Sequence, residues 1–333
     1  MTITVARLLD KNEFDVRFVV IGNAIGEIGK FIPGDYEVSL IKVRNIFDLT
    51  AQRTYRYLKP LNPQFVFCSL VYLAPHVIKA VRRFDDCRII IRWNCAVNRV
   101  SGITKTLVTQ ALPRAHVIIA QTETMQEEIE SAFPKTKGKV VTLHNLIDKE
   151  TIESRLNQAE NPYPDGTDKK IVWIGRFDPV KCIEVLIEAF AIAYRSNGNI
   201  RLYLVGKNDG RNAYYQSIKR MAEALGVEKK IHFVGFQDNP YKWMKYADCL
   251  ALSSRSEASP NTLFEALYLG VPAVSTRCTP NVDDIIQDGE NGYKVNVGDA
   301  AAMADALLRA IDLKYVKTTY KHSAPEDFIR LFS

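Results

Sequence analysis

Two successive series of short apolar runs, each run separated from the next by a stretch of helical periodicity, constrain this chain more than any other feature. In the first series the runs are Val16–Ile21, Tyr36–Val43, Phe65–Leu70, Arg88–Trp93, His116–Gln121 and Lys139–His144, with helical spacing near residues 46–58, 72–83, 102–112 and 122–132. Apolar runs of this length read as strands, and their alternation with helices gives βαβ units around a parallel sheet. The second series has runs at 170–175, 200–206, 231–235, 249–254 and 273–277, with helices near 180–195, 211–225, 239–246 and 260–269. A second parallel sheet is implied, and the polar, Pro- and Gly-bearing stretch Asn157–Asp168 reads as the connection. At 333 residues, 47% of them hydrophobic, the chain exceeds one ordinary core. The fold class is α/β, in two domains.

Within the second series, Glu257-Ala258-Ser259-Pro260-Asn261-Thr262-Leu263-Phe264-Glu265-Ala266 carries the clearest chemistry. Ser259 reads as an N-cap and Pro260 as the first helical residue, so amides around Asn261 and Thr262 point out of the positive end of the helix. Such an end seats phosphate. The run Asp248–Ser254 just ahead of it reads as a buried strand, which puts the helix start at a strand's carboxyl end, where open α/β sheets bind ligands. Two carboxylates, Glu257 and Glu265, flank this seat; solvated acids on an amphipathic helix are the bland reading of that pair.

Several classes are excluded or demoted. No apolar run reaches the ~20 residues a membrane helix needs, and MTITVARLLDKNEF lacks the features of a signal peptide, so a cytoplasmic protein is expected. The cysteines Cys68, Cys87, Cys95, Cys182, Cys249 and Cys278 are scattered, which argues for reduced thiols and against a zinc site or a disulfide scaffold. No DxD motif occurs; Asp85-Asp86 and Asp283-Asp284 read as solvated acids, and no metal is expected. Gly22, Gly26 and Gly29 miss the GxGxxG spacing, so a dinucleotide cofactor is not supported. His116 and His232 sit inside apolar runs and read as core residues. Residues 1–150 carry 21 Lys and Arg against 15 Asp and Glu, the whole of the chain's +6. That excess suits a phosphate-bearing substrate or an anionic membrane surface. Without aromatic and basic interleaving, nucleic acid is not expected as a partner.

The acidic pair resembles that of the retaining GT-B glycosyltransferases, the family 4 or group 1 type. Ile174-Gly175-Arg176-Phe177 followed by Lys181 is similar to the family's strand-end segment that neutralises the donor diphosphate. Leu204-Val205-Gly206, His232-Phe233-Val234-Gly235-Phe236, Gly270-Val271-Pro272 and Asp288-Gly289-Glu290-Asn291-Gly292-Tyr293 follow in the family's order, so the likeness covers roughly 165–312. It implies a GT-B fold, two Rossmann-like doubly wound domains facing each other across a cleft. The expected division is 1–148 as an acceptor-side domain, 149–312 as the nucleotide-sugar domain and 313–333 as a helical tail. The resemblance assigns catalysis to Arg176, Lys181 and Glu257, with the first two on the diphosphate and Glu257 orienting the sugar. It assigns donor binding to Glu265, through the ribose hydroxyls, to Ser259, Asn261, Thr262 and Leu263 at the helix start, and to Gly175 and Phe236.

The first half departs from the family pattern. The chain opens on what reads as the first helix, so the family's opening strand and Gly-rich loop are expected to be missing, and Trp93 stands where many relatives carry His. Asn145, in Leu143-His144-Asn145-Leu146-Ile147-Asp148, fits the family's end-of-domain pattern. The implied activity is retaining transfer of a hexose or N-acetylhexosamine from a nucleotide-diphosphate sugar, UDP-linked, to a glycan or lipid-linked acceptor, with the nucleotide sugar as substrate and no cofactor. Peripheral contact with the inner face of the membrane goes with that role. The alternatives are a catalytically impaired donor-binding or partner protein, a UDP-sugar epimerase and a phosphorylase of the same fold.

Overall fold

The computed structural model describes all residues except 26–28, 30–31, 45–47, 158, 208–211 and 314–322. Gly26, His322, the onset of the helix expected at 46–58, residue 211 of the helix expected at 211–225 and residues 314–322 of the tail expected after 312 lie outside the described residues. The chain divides into two compact units, Met1–Leu146 with His322–Ser333, and Ile147–Lys321. The stretch Asn157–Asp168, read above as the connection, belongs to the second unit, where Tyr163 is buried against Tyr203 and Trp243 at ring distances of 4.6 and 5.1 Å.

In the first unit a helix at Thr2–Leu8 precedes six parallel strands: β1 (Arg17–Gly22), β2 (Glu37–Lys42), β3 (Phe65–Cys68), β4 (Arg88–Arg92), β5 (Val117–Ala120) and β6 (Val140–Thr142). They do not make one sheet. β1 pairs with β2 alone, and β3-β4-β5-β6 form a separate four-stranded sheet. Helices Ala51–Leu58, Ala74–Val81, Gly102–Ala111 and Glu123–Ala132 alternate with the strands. Thr50 and Thr122 start two of them, their hydroxyls accepting from the amides of Arg53 and Met125. The run Ile89-Ile90-Ile91 is sealed on both faces, as a central parallel strand must be. Residues Phe18 to Ile21 are only half-buried, although Phe18 meets Tyr36 on one face and Val19 and Ile21 meet Ile41 and Leu49 on the other. The C-terminal helix Pro325–Ile329 and the turn after it cover this unit, where Phe328 and Phe332 pack with Val5, Leu9, Ile90 and Ile119.

The second unit holds one all-parallel sheet in the order β12-β11-β10-β7-β8-β9. Its strands are β7 (Lys169–Ile174), β8 (Ile200–Val205), β9 (Ile231–Gly235), β10 (Cys249–Leu252), β11 (Ala273–Thr276) and β12 (Gly292–Val295). Alternate residues feed two cores. Ile171, Trp173, Leu202, Leu204, Cys249 and Ala251 face the helices Ile183–Ser196 and Ala300–Ala310, while Val172, Tyr203, Val205, Leu250 and Leu252 face the helix Asn261–Tyr268. This sheet is covered on both faces, the doubly wound arrangement expected. Strand order reverses between β7 and β10, so the loops after these two neighbours diverge and leave a crevice at their carboxyl ends.

Candidate functional site

The loop after β7 is placed by close backbone packing. Gly175 donates to the Val205 carbonyl at 3.0 Å, and a Cβ on Gly206 would stand 2.0 Å from the Gly175 oxygen, so β8 is followed by the residue type that lets the loop lie there. Arg176 then points outward, exposed and without a hydrogen bond or ion pair among the described residues, while Phe177 anchors the loop against Trp173 and Tyr215. Asp178 accepts from the Val180 amide at 3.0 Å and starts the turn Pro179–Lys181. Cys182 follows at φ 45°, ψ 49°, a left-handed conformation that favours glycine. Cys182 therefore holds a side chain where the backbone is strained.

The loop after β10 is stitched to this turn. Ser253 Oγ donates to the Lys181 carbonyl at 2.8 Å, the Arg255 amide donates to the Val180 carbonyl at 2.8 Å, and Thr276 Oγ1 donates to the Ser254 carbonyl at 2.6 Å. These bonds bring Lys181 and Glu257 together. Lys181 Nζ donates to Glu257 Oε1 at 2.5 Å, and Ser254 Oγ donates to the same oxygen at 2.6 Å. Both side chains of the ion pair are mostly shielded, at 19% and 16% exposure, so their attraction is screened less than that of a surface bridge. Ser254, read in the sequence only as the end of a strand, is thus a partner of the acid; two hydroxyl residues directly after a buried apolar run are the signal for it.

The helix behind this loop starts one residue later than expected. Pro260 is its N-cap, the helix runs Asn261–Tyr268, and Ser259 caps nothing, its buried hydroxyl lacking any partner among the described residues. Pro260 at ψ 88° lies outside helical space, so it cannot take the first helical position and leave Ser259 as cap. The Thr262 amide has no acceptor among the described residues and projects from the positive end. Leu263 serves differently from its expected role, because its side chain is fully buried and its amide donates to the Pro260 carbonyl at 3.0 Å. Glu265 is half-buried, and its carboxylate makes no hydrogen bond or ion pair among the described residues. Burial, with Asp148 adding repulsion, pushes its carboxyl up to about 7.

The remaining expected residue, Phe236, follows Gly235 at the end of β9 with its side chain 39% exposed. β9 lies two strands from β7 in the sheet. In the first unit Trp93 is fully buried against Phe133, its amide donating to the Ile119 carbonyl at 3.0 Å. It is a packing residue. An open hollow lined by Ser154, Arg155, Asn157, Asn239 and Lys242 shares no residue with the site at the end of β7 and β10.

Chemically, the site gathers an exposed cation, a lysine paired to an acid, a helix start and a carboxylate kept from full solvation. Residues 154–326, which contain every one of these groups, match the model of the family described as glycosyl transferases group 1. An uncharacterized glycosyltransferase of Methanocaldococcus jannaschii is 29% identical over 175 residues, 52% of this chain and 42% of that protein. The N-acetyl-alpha-D-glucosaminyl L-malate synthase of Bacillus anthracis is 28% identical over 207 residues, 62% of this chain and 52% of that one. The chain therefore spans about half the length of the curated relatives it matches. Among solved structures, Anabaena HepE in complex with UDP and glucose superposes with a TM-score of 0.74 at 18% identity, over 93% of this chain and 85% of the other, and so shares the GT-B fold. On a family match that covers just over half of its residues, the chain belongs to the glycosyl transferases group 1 family.

Proposed function

We propose that this chain is a retaining, metal-independent glycosyltransferase that moves a hexose or N-acetylhexosamine from a UDP-linked donor to a glycan or lipid-linked acceptor. The observation that carries the reading is the half-buried Glu265 carboxylate, which among the described residues has no hydrogen-bond partner of its own behind a helix start and a lysine–glutamate pair. A carboxylate held partly out of water calls for donors, and two vicinal ribose hydroxyls supply them. The diphosphate then meets the Thr262 amide, Arg176 and the remaining ammonium hydrogens of Lys181. Glu257, fixed through one oxygen by Lys181 and Ser254, keeps Oε2 for the donor sugar.

In the step itself the bond from the anomeric carbon to the diphosphate breaks and its electron pair leaves with the phosphate. The acceptor oxygen bonds the same carbon on the same face, and the acceptor proton passes to the departing phosphate oxygen. Negative charge grows on the leaving group, where fixed cations and helix amides stabilise it without reorganisation. Those cations supply the charge that a metal would otherwise provide, so turnover should survive chelation.

A thermal-shift panel of nucleotides and nucleotide sugars tests the donor, since a ligand at about 100 times its dissociation constant adds about 2.7 kcal/mol to the folded state. Glu265→Ala should weaken UDP binding by about tenfold or more, as loss of a charged hydrogen-bond partner does. Lys181→Ala should lower kcat by about a hundredfold while shifting donor affinity less. Full UDP affinity in Glu265→Ala would count against the ribose role. One observation favours a second reading, donor binding without turnover: the place where many relatives carry His is filled by the buried Trp93. Product analysis separates the two, because only the first yields UDP and a glycosylated acceptor.

A further inference from the structure

At the carboxyl ends of β4, β5 and β6 in the first unit, a guanidinium is held by neutral groups alone. Arg92 Nη2 donates to Gln121 Oε1 at 2.8 Å and to Asn145 Oδ1 at 2.7 Å, and Gln121 Nε2 is committed to the Trp93 carbonyl at 2.6 Å. Arg92 closes β4, Gln121 follows β5, and Asn145 stands just beyond β6, so three strand ends converge on one cation. No carboxylate pairs with it among the described residues. Its Nε and Nη1 hydrogens have no partner there either, and they are not sealed from solvent.

Burial pushes the Arg92 pKa down to about 10 with no opposing charge to offset it, so the group stays charged at neutral pH and bears the desolvation uncompensated. A cation kept in that condition is costly, and the usual remedy is an anionic partner. The structure adds a second cation in the loop that follows β4: Arg99 is exposed and lies near Tyr72 and Cys95, whose pKa values burial raises and the Arg99 charge only partly offsets. Asn94 Oδ1 accepts the Val71 amide at 3.0 Å and ties that loop to the one after β3. Residues 51–100 carry nine Lys and Arg against only Asp85 and Asp86.

We infer that Arg92 anchors an oxyanion of the acceptor, a phosphate or a carboxylate, at the carboxyl end of the β3–β6 sheet, with Gln121 and Asn145 as the residues that position its guanidinium. This rests on the glycosyltransferase reading, which supplies the acceptor. It makes the acceptor class anionic and gives the missing counter-charge to the substrate. A guanidinium suits that task because its donors are fixed in a plane and stay protonated.

The test uses the full chain saturated with UDP, which occupies the diphosphate seat of the other unit, titrated calorimetrically with inorganic phosphate and separately with malonate. One further anion should bind, and the tighter of the two probes tells whether the acceptor bears phosphate or carboxylate. Arg92→Gln should weaken that binding at least about tenfold. Gln121→Glu is the second variant, since it places a carboxylate against the guanidinium without removing the cation. It should fold, by far-UV circular dichroism, and lose the anion to a similar degree. Binding that survives both substitutions, or the absence of any phosphate or malonate uptake by UDP-loaded protein, overturns the inference. Failure of UDP itself to bind would instead strike at the donor-site reading.

Discussion

Glu265 is the side chain whose titration reports on the site most directly. Its folded-state carboxyl lies at about 7 against an ordinary 4.5, so the folded protein keeps a proton that the unfolded chain releases. Stability from this group is complete below pH ~4.5 and is lost as pH rises toward about 7, after which it is flat. Glu265→Gln removes the charge that burial opposes. It should leave thermal stability nearly unchanged at pH 4.5 and raise it at pH 8 by on the order of 2 kcal/mol, the shift being discounted for partial exposure. Nucleotide binding runs the other way, because ribose hydroxyls donate to the ionised form. Wild-type UDP affinity should therefore climb between pH 5.5 and 8, and in Glu265→Gln that slope should vanish along with part of the affinity. Parallel calorimetry of the two proteins across pH reads both effects, and an identical slope in each would refute the assignment of the ionised carboxylate.

At the scale of elements, the site depends on how closely β8 lets the loop after β7 approach. The Gly206 Cα faces the Gly175 carbonyl, and an added Cβ would overlap that oxygen at 2.0 Å, backbone against backbone, with no flexible group to give way. Gly206→Ala should cost about 2–3 kcal/mol, in the range of overpacked sites, and should also weaken UDP binding by displacing Arg176. Denaturation with and without UDP measures both. The strands themselves were legible in the sequence because each is a short apolar run between helical stretches; Ile89-Ile90-Ile91 predicts β4 to within one residue. β12 has no such signature, since Gly292-Tyr293-Lys294-Val295 is short and carries a charge, and its place is fixed by the close approach of Gly292 to Ala273. The partition of the first unit into two sheets was not legible either, because pairing is decided between residues far apart in the chain. Lys181 and Glu257 show the same limit: each was picked out by its local motif, but their contact spans 76 positions. His116 and His232, expected in the core, are exposed. His116 precedes β5, its Nδ1 accepting the Ile89 amide at 2.9 Å, while His232 lies on the edge strand β9 and stacks on Tyr203. An apolar run has ends and edges, and the residues there face water.

For the molecule as a whole, charge is the property that the sequence distributes unevenly and the structure leaves largely unneutralised. The +6 excess resides in residues 1–150, and no helix of the described residues is long and apolar enough to cross a membrane. Any attachment of this chain to a lipid-linked acceptor through that excess would be electrostatic and superficial. Arg53, Arg56 and Lys59 sit on or just after the helix Ala51–Leu58, and Arg82 and Arg83 follow the helix Ala74–Val81, which packs beside it. No acidic residue pairs with any of the five among the described residues; Arg83 instead lies over the Tyr55 ring and bonds Gln52, while Arg53 meets the Lys42 carbonyl. Each basic residue near an anionic surface contributes about 1 kcal/mol, and exposed charges are screened over about 10 Å at 0.1 M salt. The chain should therefore sediment with vesicles rich in anionic lipid at low salt and leave them as salt rises, with little retention on neutral vesicles. Reversing Arg56, Lys59 and Arg82 to Glu should abolish vesicle binding while leaving UDP affinity intact, because none of the three touches the donor site. Retention on neutral vesicles equal to that on anionic ones, or binding indifferent to the triple reversal, would show that the basic excess serves some purpose other than a membrane surface.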